Sequence, residues 1–131
     1  MAQKEIEIIL SRQFADSLDT PIFITDTEGN LIFYNTPSEK ILGQKFQDTG
    51  PMPVEEWSTV FRPEDENGNE IPPEQLPLVI SLRDQIPAQA SFSILGLDGT
   101  RRFLSVTSFP IIGRGHRFLG AIAIFWENSI E

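Results

Sequence analysis

The run Gly120-Ala121-Ile122-Ala123-Ile124-Phe125-Trp126 carries no polar side chain. A strand with one wet face alternates apolar and polar residues, so a strand without alternation belongs in the middle of a sheet, covered on both sides. The chain has 131 residues, 40% of them hydrophobic, with ten Phe and two Trp. That is enough for one packed sheet in one domain, burying roughly two-thirds of the unfolded surface. Something must therefore cover each face of the sheet.

Four further segments have the composition of strands. Pro21 to Thr25 is β-branched and aromatic, and Leu31 to Tyr34 follows after the turn Glu28-Gly29-Asn30. Ala88 to Leu97 leads through Asp98-Gly99 into Arg101 to Phe109, a second hairpin, with Pro110 expected to end that strand. Between the hairpins, Thr36-Pro37-Ser38-Glu39-Lys40-Ile41-Leu42-Gly43 reads as a short helix, with Asn35 or Thr36 as cap, Pro37 in the first turn and Gly43 at the end. Pro73 to Asp84 reads as a helix that starts late, because Pro73 and Pro77 are tolerated only in a first turn, and Pro87 stops it. Gln44 to Glu74 shows little periodicity and many breakers, although Val54-Glu55-Glu56-Trp57 suits one helical turn that inserts Trp57.

Residues 3 to 18 form an amphipathic helical pattern, with Ile6, Ile9, Leu10, Phe14 and Leu18 on one narrow face. Such a stripe suits a helix lying across a sheet or pairing with its copy in a second chain. The expected organisation is a cap or dimerisation helix at 1–18 and a domain at 19–131. Strands with intervening helices, mostly antiparallel, make the fold class α+β.

Charge and composition exclude several functions. A formal charge of −9, with ten basic residues scattered among nineteen acidic ones, argues against nucleic acid. Arg101-Arg102 and Arg114-Gly115-His116-Arg117 would make a small anion site if they met in space; solvated turn charges are the simpler account. No apolar run approaches the ~20 residues of a membrane span, and the start does not read as a secretory signal, so a cytoplasmic setting is expected. The absence of cysteine rules out disulfides, thiolate metal sites, cysteine nucleophiles and cysteine-adduct flavin chemistry.

Catalysis finds little support. His116 is the single histidine and sits in a Gly-rich loop. No serine follows a strained elbow, no Gly-rich phosphate loop is present, and Glu55-Glu56 and Asp65-Glu66 lie in breaker-rich segments. Asp65, Asn67 and Asn69 match the first ligand positions of a calcium loop, but the Gly and bidentate Glu that must follow are Glu70 and Leu76. No enzymatic activity and no metal site are expected.

From about Ser17 to Ser129 the order of these features resembles a PAS domain. The matching parts are Ile24-Thr25-Asp26 to Gly29 with Asn35 to Gly43; Gly68-Asn69-Glu70-Ile71-Pro72-Pro73 running into Leu76-Pro77-Leu78; Leu97-Asp98-Gly99-Thr100 with Ser108-Phe109-Pro110-Ile111; and Gly120 opening the apolar last strand to Trp126-Glu127-Asn128-Ser129. The resemblance implies a five-stranded antiparallel sheet in the order 2-1-5-4-3, with short helices on one face. It also implies a sensory or regulatory role in signal transduction. Haem proteins of this family would carry their ligand histidine on the helix around residues 75 to 84, where this chain has none, so haem is disfavoured. Where the family often closes with an Asp-Ile-Thr-like signature, this chain has Glu127-Asn128-Ser129 and stops at Glu131. It would then be either a sensor from a larger protein or a free-standing domain acting through a partner.

Two readings follow. In the first, a small, mostly apolar ligand such as a fatty acid or aromatic metabolite occupies an internal pocket walled by Ile24, Phe33, Ile41, Leu42, Trp57, Leu78, Val79, Leu82, Phe92, Leu104 and Val106. In the second, the domain is a ligand-free homodimerisation or docking module, whose interface is the outer sheet face with Ile6, Ile9, Leu10 and Phe14.

Overall fold

The computed structural model describes Gln13 and residues 19–127. The expected helix at residues 3 to 18, with Ile6, Ile9, Leu10 and Phe14, otherwise lies outside the described residues.

The described chain builds a five-stranded antiparallel sheet in the order β2-β1-β5-β4-β3, from β1 (Ile22–Thr25), β2 (Leu31–Tyr34), β3 (Ala88–Leu95), β4 (Arg101–Ile112) and β5 (Phe118–Glu127). As its two-sided apolarity requires, β5 is central, between β1 and β4. Gly120 of β5 has φ +144 and lies so close to β1 that a Cβ there would collide with the Thr25 carbonyl oxygen. Only glycine permits that approach.

The β1–β2 turn is tied by Asp26, whose Oδ1 accepts the Glu28 and Asn30 amides at 3.0 and 2.9 Å. After β2 comes α1 (Thr36–Leu42), with Asn35 as its cap. The buried Asn35 Oδ1 accepts from the Ile22 amide (3.0 Å), the Ser38 amide (3.3 Å) and the Ser38 hydroxyl (3.0 Å), while its Nδ2 donates to the Thr20 carbonyl at 2.8 Å. One side chain thus caps α1 and fastens the entry to β1. Gly43 ends α1 in the left-handed conformation, with a Cβ at that position only 2.5 Å from the Asp98 amide nitrogen.

The breaker-rich stretch contains two short helices, α2 (Phe46–Thr49) and α3 (Val54–Val60), the latter longer than the single turn expected. Prolines delimit it: Pro53 precedes α3, and Pro72 precedes a 3₁₀ turn at Pro73–Gln75. The following helix, α4 (Pro77–Asp84), does start late, at the second proline. Strand β3 stops at Leu95, short of Leu97.

One expectation fails in the second hairpin. Pro110 does not end β4; the strand runs on to Ile112. Strand β3 begins at Ala88 opposite Ser108, so Pro110 lies past its end, where β4 has one bare edge. A sheet tolerates proline on such an edge.

The helices α1, α3 and α4 pack on one face of the sheet, around a core that includes Phe23, Trp57, Leu78, Leu104 and Phe125. Across the sheet, Ile22, Ile24, Phe33 and Ile122 form a second apolar cluster, with Phe46 of α2 edge-on to Phe33 at 5.7 Å.

Candidate functional site

The inner face of the sheet floors a cavity of about 60 Å³. Register places Phe23 of β1 opposite Ala123 of β5, Val106 of β4 opposite Phe125, and Phe92 of β3 opposite Leu104. All six line the cavity, together with Ile94. Ala123 is the small residue in this floor, beside Phe23 and Phe125, whose ring centroids stand 4.9 Å apart. The facing wall comes from Leu42 of α1, Trp57 of α3, and Leu78 and Pro77 of α4. The remaining side comes from Phe61, Pro63 and Leu76, in the segment between α3 and α4.

Every lining side chain is apolar. The indole N–H of Trp57 is spent elsewhere, donating to the Gly29 carbonyl at 2.7 Å, so the ring shows the cavity only carbon. A charged or strongly polar ligand group would lose its water here and gain no partner. The space suits a neutral apolar molecule.

Of the side chains expected to wall a pocket, Leu42, Trp57, Leu78, Phe92, Leu104 and Val106 line the cavity. Ile41 is buried in the same core without reaching the cavity, and Val79 and Leu82 pack at its margin. Ile24 and Phe33 are misplaced in that expectation: they pair with each other and belong to the cluster on the opposite face. Sequence reasoning missed Phe23, Phe61, Pro63, Leu76, Pro77, Ile94, Ala123 and Phe125. For Ile94 the signal was available, since it continues the alternation of Phe92 past Ser91 and Ser93.

The outer face over β3, β4 and β5 has a different character. By register it presents Gln89, Ser91 and Ser93 from β3, Ser105, Thr107 and Phe109 from β4, and Ile124 and Trp126 from β5. None of these is acidic, in a chain of net charge −9. Trp126 is 49% exposed and Phe109 37%, and Ile112, beyond a bulge in β4, is 46% exposed.

The two arginine groups do not meet. Arg101 and Arg102 open β4, whereas Arg114 and Arg117 follow its far end, about 40 Å away along a twelve-residue strand. Arg101 reaches Glu64 at 3.4 Å and the Ser93 hydroxyl at 2.7 Å; Arg102 donates to the Ile41 carbonyl at 2.9 Å. The acidic stretch near Asn67 is a turn in which Asp65 Oδ1 accepts the Asn69 and Asn67 amides, both at 2.9 Å. Those bonds, led by Asn69, hold the Asp65 carboxyl below the usual carboxylate range. Among the described residues, no group of His, Asp and Glu is arranged to hold a metal ion, and no helix is long and apolar enough to cross a membrane.

No protein-family model matches the sequence, and no curated protein matches it either. Solved structures do. The PAS domain of a protein from Colwellia psychrerythraea aligns over 92% of this chain and 97% of its own, with TM-score 0.64 and 21% identity. The PAS domain of nitrogen regulation protein NR(II) from Vibrio parahaemolyticus aligns over 91% and 98%, with TM-score 0.62 and 15% identity. A Rhodobacter sphaeroides LOV protein aligns over 95% and 69%, with TM-score 0.72 and 13% identity. Strand order, helix placement and these likenesses agree: the chain has the fold of a PAS domain.

Proposed function

We propose that this chain is a sensory or regulatory domain of a signalling system, and that its signal is a small, uncharged, apolar molecule bound in the internal cavity. One observation carries the reading: the cavity wall is apolar throughout, and Trp57 directs its only polar atom away from it. The likeness to a PAS domain of a nitrogen regulation protein supports a regulatory role. The volume limits the ligand. Pockets for cofactors and drug-sized molecules span roughly 300–1,000 Å³, and a dry apolar cavity of about 150 Å³ takes benzene. At about 60 Å³ the cavity is well below both, so a fatty acid or a flavin is too large for it as it stands, and even an aromatic ring has to widen it. Occupancy would press on β5 and α4, and through them bias the domain between two arrangements read by an output domain or partner protein in the cytoplasm. Native and denaturing mass spectrometry of the purified chain, side by side, tests this. A stoichiometric small mass lost on denaturation is expected; saturation with added apolar compounds and no retained mass would contradict it.

A second reading is favoured by the outer face. Exposed Trp126 and Phe109, among outward residues of β3 to β5 none of which is acidic, give an acidic chain a place to pair with its own copy with little like-charge repulsion. In this reading Ile6, Ile9, Leu10 and Phe14 extend the homodimer interface. Replacing Ile9 and Phe14 with Asp is expected to yield monomers by light scattering, and a dimer that survives would remove the helix from the interface.

A further inference from the structure

A ligand of aromatic size needs room that the cavity lacks, so one wall must yield. The walls differ in how they are held. The floor is a continuous ladder across β1, β5, β4 and β3. Helix α4 is pinned by a buried hydroxyl pair, Ser81 to Ser108 at 2.7 Å, and α3 by the bond of Trp57 to Gly29. Moving either would strand buried polar groups.

The third side is fastened at the surface. Residues Pro63 to Ile71 form a small hairpin of their own, closed by Asp65 N–H to the Asn69 carbonyl at 2.8 Å and Ile71 N–H to the Pro63 carbonyl at 3.0 Å. This hairpin hangs on the outer edge of β3. Glu64 and Ser93 exchange two backbone hydrogen bonds, both 2.9 Å, and the Leu95 amide donates to the Phe61 carbonyl at 2.6 Å. Arg101 crosses the seam, donating to the Ser93 hydroxyl at 2.7 Å and the Arg62 carbonyl at 3.3 Å and pairing with Glu64 at 3.4 Å. Both charged partners are about one-third exposed, so water can take over the bonds of Arg101 when the seam parts. One end of the hairpin meets the chain at Arg62, which holds φ +46, a strained value for a residue with a side chain; the other end meets it at Pro72.

We propose that Pro63–Ile71 is a flap over the apolar cavity, hinged at Arg62 and Pro72 and latched to β3 through the Glu64–Ser93 bridge and Arg101. Swinging it outward carries Pro63 away from the cavity and admits a neutral molecule of aromatic size. This rests on the ligand reading above. Flap opening itself is measurable without any ligand.

The chain has no cysteine, so a single engineered pair can lock the seam. Glu64 and Ser93 face each other as a hydrogen-bonded antiparallel pair, whose Cα separation of about 5.5 Å suits a disulfide. In the Glu64→Cys/Ser93→Cys double variant, benzene is expected to bind at least ten-fold more slowly in the oxidised form than in the reduced form. Equal rates would overturn the gate and leave the ligand reading standing. Hydrogen exchange on the unmodified protein gives the independent arm. The Glu64 and Ser93 amides are expected to exchange together, at least ten-fold faster than those of the β4–β5 ladder, and Arg101→Ala should accelerate them several-fold further. Exchange of the latch amides only along with the whole sheet would overturn the flap whatever binds. Normal latch opening with no benzene bound in any form would instead sink the ligand reading, and with it the gating role.

Discussion

Trp57 and Trp126 stand on opposite sides of one sheet, and their surroundings differ in every physical respect. Trp57 is buried against the inner face, with its N–H bonded to Gly29 and its ring bordering the cavity. Trp126, at the end of β5, is half exposed beside a row of serines and threonines. The inner face is closed by helices, so its side chains interlock and each carries stability. Among the described residues, no helix covers Phe109, Ile112 and Trp126 on the outer face, so these apolar residues add less to folding and present surface for contact. Stability and availability thus fall on different sides of the same strands.

That contrast can be broken by substitution. The largest loss is expected where the two sides meet, at Gly120: Gly120→Val forces a side chain into the Thr25 carbonyl and should cost ~4 kcal/mol or prevent folding, measured by urea denaturation. Leu104→Ala, on the inner face at 1% exposure, should cost ~3 kcal/mol while enlarging the cavity. Its outward neighbours on the same sheet, Phe109→Ala and Trp126→Ala, being half-exposed, should cost ~1 kcal/mol. Losses of equal size on the two faces would refute the division. Asn35→Ala strands the buried Ile22 amide and uncaps α1, for ~2 kcal/mol by the same measurement. Iodide should quench the Trp126 fluorescence, seen alone in Trp57→Phe, far more strongly than that of Trp57 seen alone in Trp126→Phe.

A smaller effect separates the core from its margin. Burial, reinforced by the Glu39 and Asp48 charges and offset in part by the Thr49 hydrogen bond, raises the Tyr34 hydroxyl above its ordinary value near 10. The fold therefore favours the protonated phenol. This contribution is fully present below pH 10 and is lost as pH climbs through the higher folded-state value. Tyr34→Phe should flatten that alkaline slope, and an unchanged slope would place its origin elsewhere.

The fold was legible where local chemistry is unambiguous. Gly120 to Trp126 demanded a central strand, Asn35 and Gly43 bracketed α1, and Asp98-Gly99 turned a hairpin. The candidate site was legible only in part. In β3 and β4, Phe92, Leu104 and Val106 alternate with serine and threonine, so the inward set could be chosen. In β1, Ile22-Phe23-Ile24-Thr25 is apolar on both sides, and nothing local says whether Phe23 or Ile24 faces the helices. The pairing of Phe23 with Ala123 and of Ile24 with Ile122 decides it, and that pairing is long-range. The cavity's third wall was hidden for another reason. Phe61, Pro63 and Leu76 belong to a stretch built of short elements between prolines, where periodicity has no length in which to develop.

The most direct test of the division between the faces is a methyl-resolved NMR titration with benzene, run beside benzoate. Saturable shifts at Leu78, Leu104 and Val106, absent at the outward Ile22, Ile122 and Ile124 and absent with benzoate, are the expected result. Shifts confined to the outward isoleucines, or equal response to the charged analogue, would contradict an apolar ligand site on the inner face.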